Sequence, residues 1–118
     1  MNPGSVKRKL TTILASDVAG YSRLMSEDEE ATLATLKEYR EIMFGLIDRH
    51  DGRVFGMAGD SVVAEFGSAV EAVRAAISIQ EELRVHNAEI EESRQMLFRI
   101  GVSVGDVMVE ATTCSAMA

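Results

Sequence analysis

The sequence holds one cysteine, Cys114, one proline, Pro3, and no tryptophan. A single thiol excludes an internal disulfide framework and a thiolate metal cluster. Histidine is scarce too: His50 and His86 lie far apart, and neither has a cysteine or a second histidine at zinc-ligand spacing, so both read as partly exposed side chains. No apolar run is long enough to cross a bilayer, and the N-terminal MNPGSVKRKL lacks the apolar segment of a signal peptide, which points to a cytoplasmic chain. Basic residues are outnumbered, 12 Lys and Arg against 19 Asp and Glu. The resulting net charge of −7 argues against nucleic acid as a partner, because such surfaces neutralise phosphates with Lys and Arg. A small anionic ligand stays compatible, since local cations or bound metal override the global sign. What is present is ordinary for one globular domain: 118 residues, 47% apolar and 26% charged, suffice for a single core.

Residues 1–8 are polar and carry Pro3 and Gly4, the composition of a flexible leader. LTTILAS, Leu10 to Ser16, is β-branched and aliphatic without strong alternation, which predicts a strand buried on both faces and ending at Asp17. Ser26 followed by Glu29 is a capping box, with Glu27 and Asp28 adding negative charge to a first helical turn. The helix it opens has Leu33, Leu36, Met43, Leu46 and Ile47 on one stripe and stops at Asp51 and Gly52. RVFGMA and SVVAEF are two short strands separated by Gly59 and Asp60, and Gly at the first central position favours a type II′ hairpin. Ser68 and Glu71 open a second helix with Val73, Ala76, Ile77 and Leu83 on one face, reaching about Asn87. EIEES is a charged connector. In LFRIGVSV, Phe98, Ile100, Val102 and Val104 point one way and Arg99, Gly101 and Ser103 the other, after which Gly105 and Asp106 turn the chain into a short strand, VMVE. This order predicts an α+β, ferredoxin-like βαββαβ sandwich with the helices on one face of an antiparallel sheet and the other face free.

Two aspartates carry the chemistry. Asp17 in ILASDVAGYS and Asp60 in GMAGDSVVAEF each end or turn a hydrophobic strand, which puts their carboxylates at the rim of the sheet. Mg²⁺ takes a few carboxylate oxygens together with substrate phosphates, so a rim pair beside a glycine-containing turn suggests metal-assisted chemistry on a nucleotide. The alternative is a pair of turn-forming aspartates, since Asp is common at strand ends. Arg99 suggests an anion above its sheet face, because an unpaired charge there is costly. Its alternative is a surface strand residue with a carboxylate partner.

The motifs ILASDVAGYSRLM, AGDSVVAEF and FRIGVSVGDVMVE, in that order, resemble the catalytic domain of class III nucleotidyl cyclases, the adenylate and guanylate cyclases, over about residues 9–110. The resemblance implies that Asp17 and Asp60, with the main-chain carbonyl of Val18, bind two divalent cations, Mg²⁺ or Mn²⁺. It implies that Ala19, Gly20, Tyr21 and Ser22, with Gly59 at the hairpin, surround the nucleoside triphosphate, and that Arg99 holds its β- or γ-phosphate. Gly-containing turns and arginine are independently suited to phosphate. Tyr21 reads as packing against the sheet. The implied reaction converts a nucleoside triphosphate, ATP first among them, into a 3′,5′-cyclic nucleotide and pyrophosphate, at the interface of a head-to-tail homodimer.

The chain departs from the family in two places. Gly56 stands where adenine-selective members carry a lysine, which leaves the base open. After VMVE the family continues with a second base-recognition residue, an asparagine and an arginine that stabilise the transition state, whereas residues 111–118 read ATTCSAMA. One choice of codons for that tail, read with a single extra base in front, encodes GDDLFGDG, which fits the family. The expectation is a domain truncated at the C-terminus with a frameshifted tail, able to bind metal and nucleotide yet inactive alone. A non-catalytic dimerisation or regulatory module with the same fold is the competing expectation.

Overall fold

A computed structural model describes residues 6–110 and 114–117 of the chain, with side-chain environments over residues 10–105. The aliphatic and β-branched run expected at Leu10 to Ser16 forms the middle of a longer central strand, β1 (Val6–Val18). It pairs antiparallel along its whole length with β4 (Phe98–Glu110), from Val6 opposite Glu110 to Val18 opposite Phe98. Its other edge takes β3 (Ser61–Phe66), which forms a hairpin with β2 (Gly52–Ala58). A short β5 (Cys114–Met117) pairs with β4 and completes the order β2-β3-β1-β4-β5, all antiparallel. The first four strands with their two long helices are the ferredoxin-like sandwich that the element order predicts.

Pairing explains two differences from expectation at the start and end of this ladder. Residues 6–8, read as leader, belong to β1, and Gly105 and Asp106 do not turn the chain but continue β4 opposite Thr11 and Leu10. The ladder of main-chain hydrogen bonds to a partner strand holds such residues extended despite their turn preference. The extra strand is therefore not VMVE, which is part of β4, but Cys114–Met117.

The first helix also differs. A seven-residue α1 (Tyr21–Glu27) starts at Gly20, and α2 (Glu29–Arg49) follows at once. Asp28, not Ser26, caps α2, its carboxylate accepting from the N–H of Ala31 at 3.0 Å, while the Ser26 hydroxyl bonds back to the Arg23 carbonyl inside α1. Asp and Ser cap about equally well, so local composition did not choose between them.

Both long helices bury a face turned slightly from the apolar stripe read from sequence. In α2 the buried residues are Thr32, Leu36, Tyr39, Met43 and Ile47, and Leu33 is exposed. In α3 (Ala69–Asn87) they are Ala72, Ala75, Ile79, Leu83 and Asn87, and Val73 and Ile77 face solvent. Small side chains at Ala72 and Ala75 let this helix approach the sheet, because interaxial distance follows the residues at the contact. Polar residues hold the rotation: the Gln80 side chain donates to the Phe98 carbonyl at 2.8 Å, and Asn87 is tied to the chain before β4. Leu14, Val18, Val62, Ala64, Phe66 and Phe98 complete the core from the sheet. Val104, which the alternation puts on the same side as Phe98, Ile100 and Val102, is exposed. On α2, burial raises the pKa of Tyr39, with the charges of Glu38 and Glu89 acting in the same direction.

The end of α2 assigns two different tasks to Asp51 and Gly52. Asp51 takes the left-handed conformation, φ 61°, that stops the helix. Gly52 provides room: a Cβ there would sit 2.4 Å from the Phe66 ring and 2.8 Å from Ile47, both buried. Overpacking a filled core costs about 1–3 kcal/mol. Gly52→Ala is expected to lose that much stability, read as a lower denaturation midpoint at unchanged slope; a native midpoint would mean that Phe66 and Ile47 yield freely.

Candidate active site

Three elements bring charged groups to one end of β1. The strand itself ends at Asp17 and Val18, and its register with β4 places Arg99 directly opposite Asp17. The Arg99 guanidinium donates from Nε to Asp17 Oδ1 at 2.7 Å, an ion pair in which the arginine side chain is 71% and the aspartate 45% exposed. The β2–β3 hairpin supplies the second carboxylate. Gly59, at φ 56°, is the first residue of the two-residue turn, as the type II′ expectation requires, and Asp60 follows it. Asp60 Oδ2 accepts the N–H of Val18 at 2.8 Å, so this carboxylate is anchored on the residue after Asp17.

The chain then leaves β1 through the glycine turn. Ala19 donates its N–H to the Leu97 carbonyl at 2.8 Å, which fixes the turn to the start of β4 but removes that N–H as a ligand donor. Gly20 adopts φ 68°, and α1 begins there without a side-chain cap. Ser22 is exposed beside it, and Tyr21 packs against the core, as the sequence predicts. Of the four residues expected around the phosphates, Ala19 is thus tied to the start of β4, and Gly20, Tyr21 and Ser22 lie at the start of α1.

Electrostatics ties these parts together. The Arg99 pKa is raised first by its hydrogen bond to Asp17, then by the charge of Asp17, and also by the charge of Asp60. One guanidinium thus senses both carboxylates. Beside it lies a groove of about 410 Å³ lined by Ala15, Asp17, Ser61, Val63, Arg99 and Gly101 among others. The register puts Ala15 opposite both Val63 and Gly101, so small side chains form a flat floor on the helix-free face of the sheet. A larger groove of about 470 Å³ between the end of α3 and Met96 to Phe98 shares no residue with it and holds neither aspartate.

The donor set fits hard divalent cations: two carboxylates and the Val18 main-chain carbonyl are oxygen ligands of the type Mg²⁺ takes together with phosphate. Among the described residues no group of three or more His, Cys, Asp or Glu converges to hold an ion unaided.

Sequence reading missed three supports. Arg40 of α2 donates to the Gly59 carbonyl and braces the turn that carries Asp60. The Leu97 carbonyl holds Ala19, and Asn87 fixes Met96 beside it. None of these has a motif; only the Asn at the end of an otherwise apolar helix face gives a signal.

The sequence profile of the adenylate and guanylate cyclase catalytic domain matches residues 6–117. The chain belongs to that family. Among its relatives, "Putative adenylate cyclase 3" of Rhizobium meliloti (strain 1021) is 45% identical over 107 residues, 90% of this chain and 18% of that protein. The crystal structure of the adenylate/guanylate cyclase/hydrolase from Silicibacter pomeroyi superposes with a TM-score of 0.82 at 33% identity, covering 93% of this chain and 64% of that one. A dimeric guanylyl cyclase domain from the fungus Blastocladiella emersonii shares the fold, with a TM-score of 0.78 at 18% identity over 98% of this chain and 71% of that domain. The cyclase domain described here thus spans less than two thirds of the Silicibacter chain and under a fifth of the Rhizobium protein. Among the described residues, no helix of this cyclase domain is long and apolar enough to cross a membrane.

Proposed function

We propose that the chain is the metal- and nucleotide-binding portion of a nucleotidyl cyclase. The reaction converts a nucleoside triphosphate, ATP first among the candidates, into a 3′,5′-cyclic nucleotide and pyrophosphate. The observation that carries this reading is the convergence of Asp17, Asp60 and Arg99 at the end of β1 beside a glycine turn. Asp17, Asp60 and the Val18 carbonyl would hold two divalent cations, Mg²⁺ or Mn²⁺. Such ions supply acidification of the ribose 3′-hydroxyl and neutralisation of the triphosphate and leaving pyrophosphate. The Val18 N–H orients the Asp60 carboxylate for that task. Arg99 offers planar donors to a β- or γ-phosphate, the Gly20 to Ser22 turn offers main-chain N–H groups, and the Ala15–Gly101 floor leaves space for the ligand. The chain would pair as a homodimer on the cytoplasmic side, where nucleoside triphosphates are available, and the product of the intact enzyme would serve signalling.

Saturating Mn²⁺ with ATP or GTP is expected to raise the thermal midpoint. A ligand at 100 times its dissociation constant stabilises the folded state by about 2.7 kcal/mol. No shift with either nucleotide would favour the second reading, a non-catalytic dimerisation module, to which Gly56 at the base-selective position lends weight. Cyclic nucleotide formation by this polypeptide alone is expected to be slight, because losing preorganised charge stabilisation costs orders of magnitude in rate. Robust turnover with Mn²⁺ and either nucleotide would contradict that. We also infer that residues 111–118 arise from a one-base deletion, which the encoding DNA tests directly: codons unable to yield GDDLFGDG in the neighbouring frame would end the idea.

A further inference from the structure

We propose that Arg99 is a latch on the cation site: in the cation-free protein its guanidinium takes the Asp17 carboxylate, and binding of cation and triphosphate exchanges both partners. The inference rests on the functional reading above and concerns how that site is controlled. The two carboxylates are held in different ways. Asp60 accepts a main-chain N–H from Val18, a donor that stays in place as long as β1 keeps its end. Asp17 is held by a side chain, and by one that is largely exposed to solvent. The direct cross-strand register makes the pairing the default: with Asp17 and Arg99 opposite each other, no loop movement is needed to form it or to break it.

The chemistry of the arginine suits the exchange. A guanidinium presents the same planar donors to a carboxylate and to a phosphate, so Arg99 can trade one oxyanion for another at little cost. An exposed ion pair competes only modestly, by up to about fivefold in an equilibrium constant. Cation alone must displace Arg99 from Asp17, and triphosphate alone must draw Arg99 away from Asp17. When both arrive, each removes the obstacle met by the other, and by linkage the two affinities rise by the same factor. The site therefore favours the cation–triphosphate complex over either component.

The test uses Mn²⁺ alone and inorganic tripolyphosphate alone, each titrated into the full chain by calorimetry, with electron paramagnetic resonance as a second count of bound Mn²⁺. Arg99→Gln is expected to bind Mn²⁺ two- to fivefold more tightly than the native chain. With a chelator present, Asp17→Asn is expected to bind tripolyphosphate more tightly by a similar factor. Arg23→Gln is the control for long-range charge, because Arg23 lies near Gly20 yet pairs with Glu27 and not with Asp17. It should leave Mn²⁺ affinity at the native value. Equal tightening in Arg23→Gln and Arg99→Gln, or native or weaker Mn²⁺ binding by Arg99→Gln, overturns the latch. If instead Asp60→Asn binds Mn²⁺ as the native chain does, the cation-site reading itself fails, a result separable from failure of the latch.

Discussion

Asp60→Asn is expected to weaken binding of Mn²⁺–ATP about 100-fold or more while leaving the fold intact. Substitutions in the outer shell of a metal site already cost about 10–100-fold, and a ligand carboxylate should cost at least the upper end. The asparagine side-chain oxygen still accepts the Val18 N–H, so the hairpin stays anchored to β1 and only the charge is lost. Asp60→Ala removes charge and acceptor together. It should lose the same affinity and, in addition, about 1.5–3 kcal/mol of stability, the range for a hydrogen bond to a charged group. Comparing the two by calorimetry and denaturation separates the structural role of Asp60 from its role toward the cation. Native Mn²⁺–ATP affinity in Asp60→Asn would remove Asp60 from the site.

Asn87→Leu is expected to be the most destabilising single substitution in the α3–β4 junction, at about 3–5 kcal/mol. Asn87 is buried, and its side chain makes three hydrogen bonds. It accepts from the Tyr39 hydroxyl at 2.8 Å and from the Met96 N–H at 3.1 Å, and it donates to the Met96 carbonyl at 2.9 Å. Leucine fills the space and pairs with none of them, leaving three buried polar groups without partners. Because Met96 precedes Leu97, whose carbonyl holds the glycine turn, the loss also loosens the phosphate side of the site. Glu81→Ala, exposed on the same helix, should change stability by less than about 0.5 kcal/mol. A denaturation midpoint for Asn87→Leu within that margin would show that the network contributes nothing.

The residues whose local chemistry and tertiary role coincide were legible in the sequence. Gly59 gives the same hairpin turn whether read locally or in the fold, and Asp60 follows from it. Asp17 sits at the end of an apolar run that could only be a strand. The alternation in LFRIGVSV places Arg99 on the free face correctly, and the structure shows the second of its readings, a surface strand residue with a carboxylate partner, Asp17. What stayed hidden depends on partners distant in sequence. Pairing with β1 overrides the turn preference of Gly105 and Asp106. The rotation of α3 follows Ala72 and Ala75 with Gln80 and Asn87, which an apolar count weighs below Val73 and Ile77. The seven residues of α1 offer no side-chain cap to announce them, and Arg40 reaches Gly59 across 19 positions of sequence.

Anomalous diffraction from crystals soaked with Mn²⁺ and a non-hydrolysable triphosphate analogue tests the central claim most directly. The account predicts manganese peaks within coordination distance of carboxylate oxygens of both Asp17 and Asp60, with the Arg99 guanidinium moved from Asp17 onto a phosphate. Manganese bound elsewhere, with the Arg99–Asp17 pair intact beneath the ligand, would contradict it.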